Sequence, residues 1–357
     1  MIQHLRRRLA PYYEQFFSFW PKGFSPFPTN VMFELLYGCN LNCTYCYLRI
    51  EETVKKIKAR SMLLTDQVLK IIDQIPAITS LSFSGGEIML HKDIIKILAH
   101  AKKNHRVGII SNLTLNTPLH NQQLINMKLD TLMTSLDGYN AQIHDQGRGK
   151  GNFAKTVNNL KDIQAQKQKL NSPFPTLTIN SMVLPHNLDQ MTKMVKLASD
   201  LRINWLNFQL IDPSIDRSGY DLHDDLSHLK GDNRQQLPKI NQTKLKDSLK
   251  NTLSLARRLG LQVTFSPQLS TPDILAYYSG KFDLKQVYCN RVFHLTRISP
   301  HGDLYPCFNY KIGSLLDTSF MSLWNSKKYR QFRQQVKKGA FKAQCVGCCH
   351  LRLKPKL

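Results

Sequence analysis

Residues Gly38–Tyr47 read GCNLNCTYCY, a stretch that places cysteines at Cys39, Cys43 and Cys46. Thiolate is the soft ligand that iron–sulfur clusters require, so three thiolates on one short loop can bind three irons of a cubane [4Fe–4S] cluster. The fourth iron would have no protein ligand and could bind another molecule. Zinc is a less favoured alternative, because zinc sites usually combine CxxC pairs with a nearby fourth ligand, and the first downstream histidine, His91, is far along the chain.

The composition describes a reduced, non-secreted chain. The 357 residues suit one large α/β domain with a smaller one. The sequence has no apolar run near the ~18 residues of a membrane span and no signal-peptide pattern at its N-terminus. We therefore predict a cytoplasmic protein, in which the eight cysteines are thiols or metal ligands rather than disulfides.

The chain is strongly basic, with 49 Lys and Arg against 25 Asp and Glu and a formal charge of +24. Such an excess raises affinity for polyanions, but lysines dispersed on helix surfaces are commonly just solvated. Without a basic motif interleaved with aromatic residues, nucleic acid is not the favoured partner. Residues Met1–Lys22 predict a basic amphipathic helix, which would pack on the main domain or lie peripherally on an anionic membrane surface.

A regular alternation of strands and helices follows the N-terminal segment. Strand–helix units of this kind imply parallel strands with right-handed crossovers, and six of them predict a partial (β/α)6 barrel of the α/β class. Chemistry in such barrels gathers at the carboxyl ends of the strands, where the chain's motifs fall. The predicted strands are Val31–Leu36, Leu81–Phe83, Val107–Ile110, Thr131–Leu136, Thr176–Val183 and Trp205–Leu210.

We divide the chain into four parts. Residues 1–27 form the N-terminal helix, and residues 28–212 form the barrel core. Residues 213–284 are a linker and helical connection in which Gln262–Phe265 is a further candidate strand. Residues 285–357 are a small cysteine-containing domain.

The motifs after the strands resemble those of the radical S-adenosylmethionine (SAM) superfamily. The cysteine loop, Gly85-Gly86-Glu87, and the HD…RG stretch His144-Asp145…Arg148-Gly149 carry the resemblance. It implies that a [4Fe–4S] cluster on the loop binds SAM through its open iron and cleaves it to a 5′-deoxyadenosyl radical.

The same resemblance assigns SAM contacts at several strand ends. It implies that Gly85, Gly86 and Glu87 bind the amino group of SAM and that Asn112 lies near the nucleoside. Ser135 and Arg148 would hold the ribose and carboxylate groups, since a guanidinium can offer a carboxylate two parallel donors. Tyr45 would lie near the adenine.

Five cysteines mark the C-terminal region. Four remote thiolates could bind structural zinc, but the order C…G-x4-C…CxxC, with a helix around Phe320–Lys337, resembles the SPASM domain in its shortened Twitch form. That resemblance implies one auxiliary [4Fe–4S] cluster on four cysteines. Cys349 is left over, either as a replacement for Cys348 or as a buried thiol. The implied ligands are Cys289, Cys307, Cys345 and Cys348.

The resemblance implies a radical SAM enzyme that receives electrons from a one-electron donor such as flavodoxin or ferredoxin. About 30 residues precede the first strand, too few for the peptide-recognition domain of many peptide maturases. We therefore expect oxidation or rearrangement of a small molecule (a sugar, cyclitol or lipid-linked compound), with maturation of a ribosomal peptide, or less favourably RNA modification, as the alternative. A catalytic base is not identifiable; the candidates are Asn207, Gln209, Asp212 and His294.

Overall fold

The computed structural model describes residues 16, 19–46, 62–212, 222–227, 237–307, 309–341 and 345–354. Most of the predicted N-terminal helix, Met1–Lys22, lies outside these residues. Within the described parts of the chain, no helix is both long and apolar enough to cross a membrane.

The core is one sheet with seven parallel strands. They are β1 (Asn30–Glu34), β2 (Ser80–Ser84), β3 (Val107–Ser111), β4 (Thr131–Ser135), β5 (Thr176–Met182), β6 (Trp205–Gln209) and β7 (Gln262–Ser266). Each strand pairs in parallel with the next in chain order. The six predicted strands are confirmed, and the further candidate strand within the predicted connection forms β7.

Helices connect these strands and cover one face of the sheet. They are α1 (Thr65–Ile72), α2 (Ile94–Ala101), α3 (Pro118–Asn126), α4 (Ala141–Arg148), α5 (Asn152–Lys169), α6 (Met191–Asp200), α7 (Gln242–Arg258) and α8 (Thr271–Tyr278). Alternate strand residues such as Phe33, Phe83 and Leu206 are buried beneath the helices. The intervening residues are more polar and line the opposite, inner face of the curved sheet.

The C-terminal region extends the same sheet. Strands β9 (Leu295–Ile298), β10 (Asp303–Tyr305) and β11 (Gly313–Ser314) follow β1 at its other edge, and β9 pairs with β1 in parallel. A 2.8 Å ion pair between Arg297 and Glu34 joins these two strands. A separate pair, β8 (Val287–Tyr288) with β12 (Arg352–Leu353), lies beside the C-terminal cysteines.

A buried arginine stabilises this region. The predicted helix around Phe320–Lys337 is two helices, α9 (Phe320–Trp324) and α10 (Lys327–Lys338). Arg333 of α10 lies 4.0 Å from the ring centres of Trp324 and Tyr329. Its guanidinium donates to the carbonyl of Val292 (2.9 Å) and to that of Gly23 (3.1 Å). One side chain therefore joins the C-terminal helix to the segment that precedes β1.

Candidate functional site

Two glycines after β2 hold the start of the cysteine loop. The Gly86 N–H donates to the Leu36 carbonyl (2.7 Å), and the Glu87 N–H donates to the Gly38 carbonyl (2.9 Å). A Cβ on Gly85 would lie 2.2 Å from the Leu36 oxygen, and one on Gly86 would lie 2.0 Å from the Gly38 oxygen. Only glycine permits this approach of two backbones.

Glu87 joins two strand ends. Its side chain is fully buried, and burial raises the pKa of its carboxyl. The carboxylate accepts hydrogen bonds from the Ser111 hydroxyl (2.8 Å), the Asn112 N–H (2.7 Å) and the Met89 N–H (3.0 Å). These bonds position the end of β3 against the end of β2. Contact of the Gly85-Gly86-Glu87 motif with the amino group of SAM stays a prediction.

Asn112 contacts the first part of the cysteine loop. Its side-chain amide donates to Asn40 (3.0 Å) and lies 3.9 Å from the sulfur of Cys39. Asn40 in turn donates to the Thr114 hydroxyl (2.8 Å). The structure thus brings Asn112 next to a predicted cluster ligand, and its contact with the nucleoside is not tested.

Asp137, which follows β4, joins the second part of the loop to the barrel. The Tyr45 hydroxyl and the Arg148 Nε both donate to one of its carboxylate oxygens, and the Met182 N–H donates to the other (2.8 Å). Burial alone would raise the pKa of this carboxyl, but the positive charge of Arg148 and the hydrogen bonds outweigh burial and lower it. Asp137 is therefore a buried carboxylate that fixes two predicted SAM-binding residues.

The end of α4 contacts the cysteine loop. The Thr44 N–H donates to the Gly147 carbonyl (2.9 Å), and a Cβ on Gly147 would lie 2.8 Å from the Tyr45 ring. The Arg148 guanidinium lies 5.5 Å from the centre of that ring, and its Nη1 lies 3.9 Å from the sulfur of Cys43. The binding of the SAM carboxylate by Arg148 stays a prediction.

The three loop cysteines lie near one another. Desolvation raises the pKa of the Cys39 and Cys43 thiols, and the neighbouring cysteines raise it further. As they stand, the described side chains of His, Cys, Asp and Glu form no group of three in position around one metal ion. The donor set nevertheless fits a cluster, because three thiols on one loop are soft ligands that release their protons when metal binds.

The inner face of the sheet carries a polar wall. Asn207 donates to the side-chain oxygen of Asn180 (2.5 Å) and accepts hydrogen bonds from Thr264 (3.0 Å) and Ser266 (2.9 Å). Ser135 of β4 pairs with Asn180 in register, so it lies beside this wall. The predicted ribose contact of Ser135 is not tested.

One candidate base lies at the other end of the barrel. His294 is close to Thr29 (3.2 Å), which directly precedes β1, whereas the cysteine loop follows β1. Burial lowers the pKa of His294 to about 4. His294 therefore lies at the opposite end of β1 from the cysteine loop, and a role for it as a catalytic base is not tested.

Two of the C-terminal cysteines, Cys289 and Cys345, line a cavity of about 340 Å³ together with Phe341 and other residues. Burial, together with the nearby Cys348, raises the pKa of Cys289 to about 11. Cys349 is hydrogen-bonded to Cys348. A cavity of this size with thiols on its wall can accommodate a cubane cluster. Which of the two adjacent cysteines is a ligand is not tested.

Three residues that fix this site were not predicted from the sequence. His144 lies in the HD…RG stretch and Asp137 lies two residues after Ser135, but neither had an assigned role. No sequence pattern distinguishes Gly147, because its importance depends on the Tyr45 ring packed against it. The strand-end position of Asp137 was the usable clue.

His144 provides a test by pH. The Asp137 N–H donates to its Nδ1 (3.2 Å), and burial, then the charge of Arg148, lowers its pKa to about 4. The unfolded chain takes up a proton near pH 6.5, so stability is lost as pH falls from 6.5 towards 4. At pH 5 this loss is about 2 kcal/mol from His144 alone.

We expect the His144→Asn variant, whose side-chain oxygen can accept the same hydrogen bond without titrating, to lose less stability than the parent between pH 7.5 and 5.0. Anaerobic urea unfolding at both pH values measures the difference. His294 titrates in both proteins and cancels. Identical losses in parent and variant would contradict the assignment.

The class of protein is an iron–sulfur enzyme. The partial barrel with its cysteine loop, and the cysteine-lined cavity in the C-terminal region, define that class. The family model of the radical SAM superfamily matches residues 33–198, and that of the SPASM iron–sulfur cluster-binding domain matches residues 289–349. The chain belongs to the radical SAM superfamily and carries a C-terminal SPASM domain. Its cofactors are a [4Fe–4S] cluster, SAM and auxiliary iron–sulfur clusters in the SPASM domain.

Curated relatives cover the chain to different extents. The AdoMet-dependent heme synthase of Methanosarcina barkeri is 33% identical over 178 residues, which are 49% of this chain and 48% of that protein. The mycofactocin maturase MftC of Mycolicibacterium smegmatis is 28% identical across 90% of this chain and 76% of that protein. The PqqA peptide cyclase of Xanthomonas campestris is 25% identical across 86% and 76%, respectively.

A solved structure supports the fold. The structure of Streptococcus suis SuiB bound to the precursor peptide SuiA matches with a TM-score of 0.65 at 16% identity, over 97% of this chain and 76% of that chain. At this identity the likeness concerns the fold alone.

Proposed function

We propose that this radical SAM enzyme modifies a peptide, the alternative that the sequence analysis ranked second. The supporting observation is the share of this chain that each curated relative matches. The similarity to the PqqA peptide cyclase spans 86% of the chain, and so extends well beyond the radical SAM match at residues 33–198, whereas the similarity to the heme synthase spans 49%. The small-molecule interpretation is therefore the less favoured of the two.

The inner wall of the barrel suits such a substrate. A peptide group offers one donor and one acceptor, and a carboxamide side chain can satisfy both at once. The side-chain oxygen of Asn180 accepts the hydrogen bond from Asn207 within the wall, so its NH2 group is the part of the side chain that would remain to bind a substrate. Asn180 would thus donate to a peptide carbonyl close to the predicted SAM-binding residues at the strand ends.

In this proposal the cluster and SAM supply a radical that removes one hydrogen atom from the peptide. The chain positions the substrate and excludes water. Gly85, Gly86 and Glu87 hold the loop, while Asp137, Tyr45 and Arg148 fix the side on which SAM is predicted to bind.

The test uses short peptides encoded beside the gene, prepared with deuterated amino acids. We expect deuterium in the released 5′-deoxyadenosine and a mass change in one peptide, both measured by mass spectrometry. Cleavage of SAM without any peptide change, together with conversion of a sugar or cyclitol, would overturn the proposal.

A matched pair of variants tests whether the polar wall binds the peptide. Asn180→Leu removes the donor and should reduce peptide conversion by about tenfold or more, since a lost hydrogen bond in a buried site costs ~1–3 kcal/mol. Thr178→Val, two residues earlier on the same face of β5, should have little effect. Iron content should be unchanged in both variants, and equal conversion by both would contradict a role for Asn180.

A further inference from the structure

The turn after β3, residues 112–114, has an uncommon backbone conformation at its centre. Leu113 is fully buried and has a φ of 60°, in the left-handed region that residues with a side chain rarely adopt. Such a conformation persists only where neighbouring groups fix it. Within the turn, the Leu113 N–H donates to the Ser111 hydroxyl (3.0 Å). The Thr114 N–H donates to the side-chain oxygen of Asn112 (2.8 Å).

Two side chains of α5 hold the carbonyl groups of this turn. The Thr156 hydroxyl donates to the Asn112 carbonyl (2.9 Å), and Thr156 is only 1% exposed. The Asn159 side-chain NH2 donates to the Leu113 carbonyl (2.8 Å). The other end of the Asn159 amide accepts from Asn121 of α3 (3.0 Å), which orients its NH2 group towards the turn. The two residues of α5 therefore fix the backbone that carries the Asn112 side chain.

The side-chain amide of Asn112 has a defined orientation. Its oxygen accepts from the N–H and the hydroxyl of Thr114 (2.8 and 2.7 Å), and a backbone N–H can only donate. The NH2 group therefore faces the cysteine loop. There it donates to the Asn40 side-chain oxygen (3.0 Å), and its nitrogen lies 3.9 Å from the Cys39 sulfur. An amide NH2 group has two N–H donors, so it can make both contacts at once.

We propose that Asn112 raises the reduction potential of the cluster on the cysteine loop by donating a hydrogen bond to the Cys39 thiolate. Thr156 and Asn159 are its positioning residues, because they hold the backbone on which the amide is carried. Reduction adds negative charge to a cluster, and a donor directed at a ligand sulfur stabilises that charge. This role differs from the predicted nucleoside contact of Asn112 and is independent of the substrate.

A second donor at the same sulfur limits the size of the effect. The Leu41 N–H lies 3.4 Å from the Cys39 sulfur and belongs to the backbone of the loop itself. Substitution of Asn112 therefore removes one donor and leaves the other in place. We expect the cluster to assemble without the Asn112 amide but to be harder to reduce.

The test is a redox titration of the anaerobically reconstituted full chain, followed by electron paramagnetic resonance without SAM. Addition of SAM to matched samples identifies the signal of the cluster on the cysteine loop, because SAM binds the cluster with the open iron. The auxiliary cluster in the same sample is the internal standard. SAM binding is measured separately by equilibrium dialysis.

The Asn112→Ala variant removes the proposed donor. We expect the equilibrium constant for reduction of the cluster on the cysteine loop to fall about tenfold, which is ~59 mV for a one-electron couple, while the potential of the auxiliary cluster stays unchanged. Weaker SAM binding with an unchanged potential would overturn the proposal and would favour the nucleoside contact.

A matched pair at Thr156 separates positioning from packing. Thr156→Val keeps the shape of the side chain and removes the hydroxyl, whereas Thr156→Ser keeps the hydroxyl and removes the methyl group. We expect the equilibrium constant for reduction to fall about threefold in the valine variant and to keep its parent value in the serine variant. Equal potentials in the two variants would overturn the positioning role. Neither substitution changes a side chain of the cysteine loop, so the pair tests the proposal even if Asn112→Ala binds less iron.

Gln166 provides a control on the same helix. It lies about two turns beyond Asn159 and donates to the Pro118 carbonyl of α3 (3.0 Å) and to Asp162 (2.8 Å). The Gln166→Leu variant loses both hydrogen bonds without touching the turn after β3, so the potential should stay at its parent value. A fall equal to that of Thr156→Val would mean a general loosening of α5 and would overturn the proposal.

Discussion

Replacing Gly86 with alanine is expected to abolish the cluster on Cys39, Cys43 and Cys46. The new Cβ would lie 2.0 Å from the Gly38 oxygen and 2.6 Å from the Tyr37 oxygen, and both contacts are with backbone that cannot move without displacing the loop. We expect a loss of about four irons per chain and a loss of ~3 kcal/mol in the free energy of unfolding.

Gly38→Ala is the matched control. A Cβ at Gly38 would meet only the Leu36 side chain, at 3.7 Å, so the loop should keep its cluster. Iron and sulfide analysis with visible spectroscopy measures both variants after identical anaerobic reconstitution. Full iron content in the Gly86→Ala protein would mean that the contact between the two backbones does not position the loop.

Replacing Asp137 with asparagine is expected to lower the free energy of unfolding by ~3–5 kcal/mol, because it leaves Arg148 buried without its carboxylate. The Arg148 side chain is 12% exposed and that of Asp137 is 2% exposed, so solvent screens the pair poorly. Tyr45 also loses a charged acceptor. Weaker SAM binding should accompany the loss, since Arg148 and Tyr45 would no longer be fixed.

A double variant separates the pair from its surroundings. Adding Arg148→Met to Asp137→Asn removes the uncompensated charge, so stability should return by more than half even though another side chain is lost. Urea unfolding of the parent, both single variants and the double variant gives the coupling energy. Additive losses would contradict the account of Asp137 as the partner of a buried arginine.

Much of the barrel could be predicted because most of its strands alternate apolar with more polar residues and lie between helices with clear periodicity. The hardest part was the sheet beyond β6. Strand β7 reads as a short polar segment, QVTFS, after an interrupted stretch, and only its pairing with β6 makes it part of the sheet. Similarly, the sequence of β9 lies in the region predicted as a separate cysteine-containing domain, and only its parallel pairing with β1 makes it part of the sheet.

The cysteine spacings could be read directly, since ligand type and spacing are local properties of a sequence. The groups that hold the loop could not be read in the same way. Asp137 is 92 residues from Tyr45 along the chain, and neither residue signals that pairing. The burial of Glu87 was equally hidden, because a Gly-Gly-Glu sequence does not reveal whether its carboxylate faces a ligand or the next strand.

The most direct test of the central claim is a single experiment on the anaerobically reconstituted protein, which counts iron and sulfide and then measures 5′-deoxyadenosine after addition of SAM and dithionite. We expect about eight irons per chain, as for two [4Fe–4S] clusters, and release of 5′-deoxyadenosine that disappears when Cys39, Cys43 and Cys46 are replaced with alanine. Iron that is bound without any cleavage of SAM would contradict the assignment of this chain as a radical SAM enzyme.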